Sequence, residues 1–224
     1  MQNRDRLIHL GYRVSPAGLL APEPCPSFSR GILGLGTEVS DFDADEILKP
    51  LLGFAKARSV SEIWLDMPDT SAARSLCGAL SGRGMKVCSP FGLSGASLVI
   101  KSDVISGGFA RHIRAALAQA RGGCSAIEFV PVSIILKEGG GTEKLAARDL
   151  FRLMLRSPKV VFSEGLQLNT ISFRSPEGEP RLALFDDEAT LPKKLALAAE
   201  LGVGRVFIRQ GQSFDYEGKE TLTF

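Results

Sequence analysis

The sequence predicts an α/β fold on a parallel sheet or a (β/α) barrel, interrupted by one small antiparallel insert. Three observations lead there. From residue 29 onward, β-branched runs alternate with amphipathic stretches of helical period. The alternation breaks once, over about residues 158–186, into short strands separated by turns. The chain has 224 residues, 44% of them hydrophobic, enough for one sizeable core with no disulfide or metal as a staple. Strand–helix alternation favours parallel pairing, because each crossover returns the chain to start the next strand in the same direction. Alternation alone leaves an open doubly wound sheet and a closed barrel both standing.

Residues 1–28 lack this regularity and read as an irregular N-terminal segment. Within them, 7–14 has strand character, 15–18 (SPAG) turn character and 19–21 the character of a short return. Pro22, Pro24 and Pro26 then break any regular element. Residues 31–39 (GILGLGTEV) form a buried strand with a polar end. Ser40 and Asp41 are cap candidates for a helix over 44–58, whose apolar face is Ile47, Leu48, Leu51, Leu52, Phe54 and Ala55. The acids Asp41, Asp43, Asp45 and Glu46 suit the N-terminus of that helix, where the macrodipole favours negative charge. A strand over 60–67 (VSEIWLDM) leads to Asp69 or Thr70 as cap of a helix over 71–81, which Gly82 and Gly84 stop. Short strands at 85–89 and 97–101 precede a helix over 111–121. The run 127–136 (IEFVPVSIIL) reads as one β-branched strand and 142–155 as a helix. Strands at 159–163, 168–174 and 181–185 make the insert, and a helix over 190–201 tolerates Pro192 near its start. The last strand covers 203–208, and 213–224 form a C-terminal tail.

Composition excludes several functions. Two histidines cannot supply a three-histidine metal site, and they leave few openings for a Ser-His-Asp triad. Basic and acidic residues number 27 and 25, so no strong field for nucleic acid or membrane is expected, and 7% aromatic content argues against a base-stacking platform. The four cysteines, Cys25, Cys77, Cys88 and Cys124, are widely spaced and fit reduced, buried thiols. No apolar run suits a signal peptide or a membrane span, so a cytoplasmic location is the default expectation. Gly92–Gly95 and Gly139–Gly141 match no phosphate-binding fingerprint, and no cofactor or metal is expected.

The C-terminal third narrows the reading. LFDDE at 184–188, KLALA at 194–198, LGV at 201–203 and VFI at 206–208 together resemble the closing segment of family 18 glycoside hydrolases, most closely the spore-type peptidoglycan-hydrolysing branch. Upstream, VPV at 130–132, LVIKSD at 98–103, RGMKV at 83–87, the strand within 59–68 and the strand within 31–39 follow in that family's order. The resemblance covers residues 29–212 and rests on the order of motifs that are each short. It implies a TIM-type barrel with a small α+β insertion before its last strand. A full barrel takes about 250 residues, so the expected fold is a degenerate or incomplete (β/α) barrel. An open edge in it would call for cover by residues 1–28, a homo-oligomer or another partner.

The resemblance also implies where chemistry would lie. The family's catalytic strand reads D-x-x-D-x-D-x-E, a period of two that aims alternate acids into the barrel mouth. In this chain Ser61 and Trp64 replace the first two acids, Asp66 matches the third, and Pro68 stands where the general acid belongs. Proline has no side-chain proton to give. Arg209 replaces the family's floor tryptophan, and of a Tyr-Asp pair only Asp103 remains, beside Ser102. The resemblance therefore implies a non-hydrolytic relative that binds an N-acetylated glycan of peptidoglycan or chitin type, or acts as a scaffold, in a sporulation context. Asp66, Asp103, Glu38 and Arg209 are its expected ligand-binding residues. The alternatives are an active glycosidase with relocated acids, drawn from Asp66, Asp69 and Glu38, and a cytoplasmic interaction protein with a relic cleft. Asp66 as a helix cap and Trp64 as core are the plain structural readings of those residues.

Overall fold

The computed structural model describes residues 7–15, 18–20, 32–37, 39–120, 124–156 and 159–209. Glu38, Cys25 and the tail over 213–224 lie outside the described residues. In chain order the elements are β1 (Leu7–Ser15), β2 (Gly18–Leu20), β3 (Ile32–Thr37), α1 (Ala44–Ala57), β4 (Glu62–Asp66), α2 (Ser71–Ser81), β5 (Lys86–Ser89) and β6 (Ser97–Lys101). Then follow α3 (Phe109–Gln119), β7 (Cys124–Phe129), β8 (Ser133–Lys137), β9 (Gly141–Lys144), α4 (Ala147–Arg156), β10 (Val161–Ser163), β11 (Leu168–Arg174), β12 (Pro180–Phe185), α5 (Thr190–Glu200) and β13 (Val206–Arg209).

Alternation along the strands separates two apolar layers. In β4, Ile63 and Leu65 point outward into a cluster with Ile47, Leu48 and Leu51 of α1 and with Leu76 and Leu80 of α2. Trp64, between them, points inward, where it packs with Ile32, Cys88, Val99, Ala126 and Phe207. This is the period-two consequence of the pleat: one strand serves the interior and the helical layer at once. On the far side, Ile100 and Ile127 meet Phe109 and Ile113 of α3 and Ala198 of α5.

The strands β13, β7, β6, β5, β4, β3 and β1 pair in parallel in that order, and β2 returns antiparallel on β1. Leu7 and Ile8 also pair in parallel with Ile208 and Arg209, so the sheet closes on itself. Among the described residues the ring is thus a barrel one strand short of the usual eight. β1 occupies the edge that an open barrel would have exposed, between β3 and β13. Within residues 1–28, which were expected to be irregular, Leu7–Ser15 is a strand of the ring.

Two element boundaries also need correction. The apolar run over 127–136 is two strands, β7 in the ring and β8 in a second sheet of order β10-β11-β12-β8-β9. Pro131 stands at the break and brings no N–H for a ladder. Residues expected to begin a helix at 142 are instead β9, paired with β8 across the glycine turn, and α4 starts at Ala147. The insert therefore runs from β8 to β12, beginning earlier than residue 158. α4 covers one face of its sheet, with Leu150 beside Ile171, Ala183 and Phe185.

Caps explain the helix starts. Asp43 accepts from the Asp45 N–H at 2.8 Å and Thr70 accepts from the Ala73 N–H at 3.2 Å. Thr70→Ala is expected to lower stability by about 1 kcal/mol, read from urea unfolding, because it leaves an α2 N–H without its partner. α3 starts differently. Gly107 and Gly108 hold φ of +76° and +90°, and the Phe109 N–H donates to the Gly165 carbonyl of the insert at 2.8 Å. The insert thus supplies the cap that the helix sequence lacks.

Candidate functional site

Parity along the strands determines which side chains meet inside the ring. On β4, Glu62, Trp64 and Asp66 share the inward face, and the next position of that parity is Pro68. On β6, Val99 and Lys101 face inward, and on β7, Ala126 and Glu128. Trp64, Val99 and Ala126 fill the middle, so Asp66, Lys101 and Glu128 mark the mouth at the strands' C-terminal ends. At the opposite end Arg205 donates to both Glu62 oxygens, at 3.2 and 2.7 Å, and lies 5.0 Å from the Phe207 ring centroid, closing the floor.

At the mouth, the Lys101 ammonium lies 3.6 Å from Asp66 and 5.4 Å from the Phe91 ring centroid. Glu128 is buried, in register with Lys101 on one side and Phe207 on the other. Below them, burial pushes the Cys88 thiol up; Glu62 adds to that and Arg205 opposes it, so this thiol is no ready nucleophile. Cys77 and Cys88 are free and buried, as expected of two of the four cysteines. Among the described residues, no three of His, Cys, Asp or Glu gather as a metal site would need. No helix among them is long and apolar enough to cross a membrane.

One rim of the mouth is clamped by a buried ion pair. Lys194 on α5 donates to Asp186 at 2.8 Å, and both side chains are 0% exposed. Asp186 also accepts from the Val132 N–H and the Thr190 hydroxyl, while Lys194 reaches the Ser102 carbonyl at 3.4 Å. Burial pulls the Lys194 ammonium below the ordinary lysine range, against the attraction of Asp186 and Asp103. Asp187 caps the start of α5, accepting from the Ala189 and Thr190 N–H groups, and is itself held by Asn169 of β11. The insert, α5 and the segment after β6 are thereby locked together.

The expected site residues fare differently. Asp66 is at the mouth, in the ion pair with Lys101. Asp103 is exposed two residues past the end of β6 and lines a cavity of about 860 Å³ that also touches Lys101 and Asp69. Asp69 forms a two-point pair with Arg74 of α2, at 2.8 and 3.2 Å, and the guanidinium holds its carboxyl below the usual range. The Arg209 backbone closes the ring against Ile8, but its side chain lies outside what is described. Glu38 lies outside it altogether. Lys101, Glu128 and Phe91 were not singled out from the sequence, although strict alternation from Val99 and Ala126 would have placed the first two inside.

A closed ring of parallel strands, helices outside it and an antiparallel insert before the last strand define the fold of spore-type glycoside hydrolases and chitinases. Solved structures share it. The spore cortex-lytic enzyme SleL of Bacillus megaterium matches with a TM-score of 0.62 and 12% identity over 92% of this chain and 63% of its own. A chitinase from Chromobacterium violaceum matches with a TM-score of 0.62 and 13% identity over 91% of this chain and 86% of its own. A putative sporulation-specific glycosylase, ydhD, of Bacillus subtilis gives 0.54 and 12% over 80% and 78%. This chain therefore spans less than two thirds of the SleL structure's length. No family model matches the sequence, and no curated protein does.

Proposed function

We propose that this chain is a non-hydrolytic relative of the glycoside hydrolases that binds an N-acetylated glycan at the barrel mouth, with Asp66, Lys101 and Asp103 as contacts. The observation that carries this is the inward row of β4. Its only carboxylate at the mouth, Asp66, is engaged by Lys101, and the next inward position is Pro68, with no proton to donate. Glycosidic cleavage with an acetamido nucleophile needs a general acid on the leaving oxygen beside the carboxylate that orients the acetamido group. Asp69 is a poor replacement, because its Arg74 partner favours the ionised form. The mouth retains polar groups of both signs, which suits hydroxyl and acetamido recognition better than proton transfer.

The test is binding and turnover on the same sample. Chitotetraose and muramidase-released peptidoglycan fragments are expected to bind, weaker in Asp66→Asn, with no new reducing ends above a protein-free control. Turnover that Asp66→Asn abolishes would overturn the non-hydrolytic reading, and absence of binding to either probe would overturn the glycan reading.

A further inference from the structure

The outer layer of the barrel has a gap. β3–β4, β4–β5 and β6–β7 are joined through α1, α2 and α3, but residues 90–96 join β5 to β6 without a helix. Pro90 brings no N–H, and Gly92 and Gly95 hold φ of +66° and +88°, so the link turns tightly instead of winding. It leans toward α2: Leu93 is 2% exposed in the cluster that α1 and α2 cover, and a Cβ on Gly95 would stand 3.7 Å from the Cys77 sulfur. Space is left on the α3 side, where a cavity of about 860 Å³ opens between the link, β6 and α3.

Leu98 and Ala116 line this cavity with Phe91, Asp103, His112 and Gln119. Phe91 is 49% exposed, a large ring left in water at its edge, with the Lys101 ammonium close to it. The side chains of His112 and Gln119 make no hydrogen bond among the described residues, and Asp103 is engaged only by long-range attraction to the Lys194 ammonium. A concave site of this size, partly apolar and carrying a few polar groups, is the ordinary description of a small-ligand pocket. Its chemistry narrows the ligand. Asp103 at the rim disfavours phosphates and acidic peptides, while Asp69 beside it is already paired with Arg74. An aromatic face beside a carboxylate, an amide and an imidazole suits a neutral polyol, which offers C–H groups on one side and hydroxyls around its edge.

We infer that this lateral cavity is a saccharide subsite, in which Phe91 stacks on a sugar ring while Asp103, His112 and Gln119 bind its hydroxyl or acetamido groups. The inference rests on the glycan reading above and extends the ligand from the mouth across Lys101 to the side of the barrel. Titration of the full chain with chitotetraose, followed by calorimetry and by amide chemical shifts, tests it. Phe91→Ala and Gln119→Ala are each expected to weaken binding at least tenfold with unchanged melting curves, and shifts should reach Leu98 and Ala116. Phe151→Ala, which removes another exposed aromatic on α4, should leave affinity within twofold. If wild type binds with shifts confined to the mouth, and Phe91→Ala binds as wild type does, the lateral subsite is wrong while the glycan reading stands. If folded wild type binds no chitotetraose or peptidoglycan fragment, both fall.

Discussion

Asp186→Ala is expected to destabilise the protein by about 3–5 kcal/mol, because it leaves a fully buried ammonium without its countercharge. Lys194 and Asp186 are both 0% exposed, and the Val132 N–H and Thr190 hydroxyl would lose their acceptor as well. Domains of this size have roughly 5–15 kcal/mol in hand, and each kcal/mol moves the melting temperature by about 2–4 °C. A fall of roughly 6–20 °C should follow. The companion variant Asp186→Ala with Lys194→Met removes the charge too and should recover much of the loss. A double variant no more stable than the single would show that the charge is not the cause. The pH dependence has a defined sign. Burial already holds the folded-state pKa of Lys194 below its unfolded value, and removing Asp186 removes the largest opposing attraction. Between the two pKa values the unfolded chain binds the proton that the folded chain lacks, so stability rises with pH there. The deficit of Asp186→Ala relative to wild type should therefore shrink as pH climbs toward the folded-state pKa of wild-type Lys194, which burial holds below the ordinary lysine value.

This pair also illustrates where sequence reasoning stops. Lys193 and Lys194 are consecutive on an amphipathic helix, and nothing local says that one lies over the Phe162 ring while the other is sealed inside. The difference comes from Asp186, which reaches α5 only because the insert returns β12 to that point. The helices α1 and α2 were legible. Ile47, Leu48, Leu51 and Ala55 repeat at the helical period, and Thr70 stands where a cap should. β4 was legible as well, including the inward Trp64. What failed were features fixed by partners far along the chain. Residues 7–15 look like any short strand until β13 is available to pair with them. The apolar run through Pro131 hides a change of sheet, because residues on both sides of the proline are equally β-prone. At the mouth, the strand-end position of Asp66 was legible from the sequence. Lys101, which changes what that carboxylate can do, comes from a strand two places around the ring.

Trp64→Ala should have a comparable effect by a different cause. Among the described residues the ring has seven parallel strands, so its interior is narrow and its filling is uneven: Trp64 and Phe207 are large, Cys88 and Ala126 small. Opposite Trp64 in register stands Gly34 on β3, which has no side chain to compete for the space. The indole lies 6.0 Å from the Phe207 ring, centroid to centroid, tilted at 41°. Removing it opens a void that closed, hydrogen-bonded strands cannot collapse to fill, and about 3–5 kcal/mol should be lost. Trp64→Phe keeps an aromatic neighbour for Phe207 and should cost substantially less. Ala126→Leu, alone, overfills the same layer and is expected to cost about 1–3 kcal/mol. Combined with Trp64→Ala, the leucine has room to occupy, so the double variant should be more stable than the sum of the two losses predicts. Circular dichroism in urea reads all four. Trp64 is the only tryptophan, so its emission should move to longer wavelength as wild type unfolds. Strict additivity of the two losses would mean that Trp64 and Ala126 do not share one packed layer, and the description of the barrel interior would have to be abandoned.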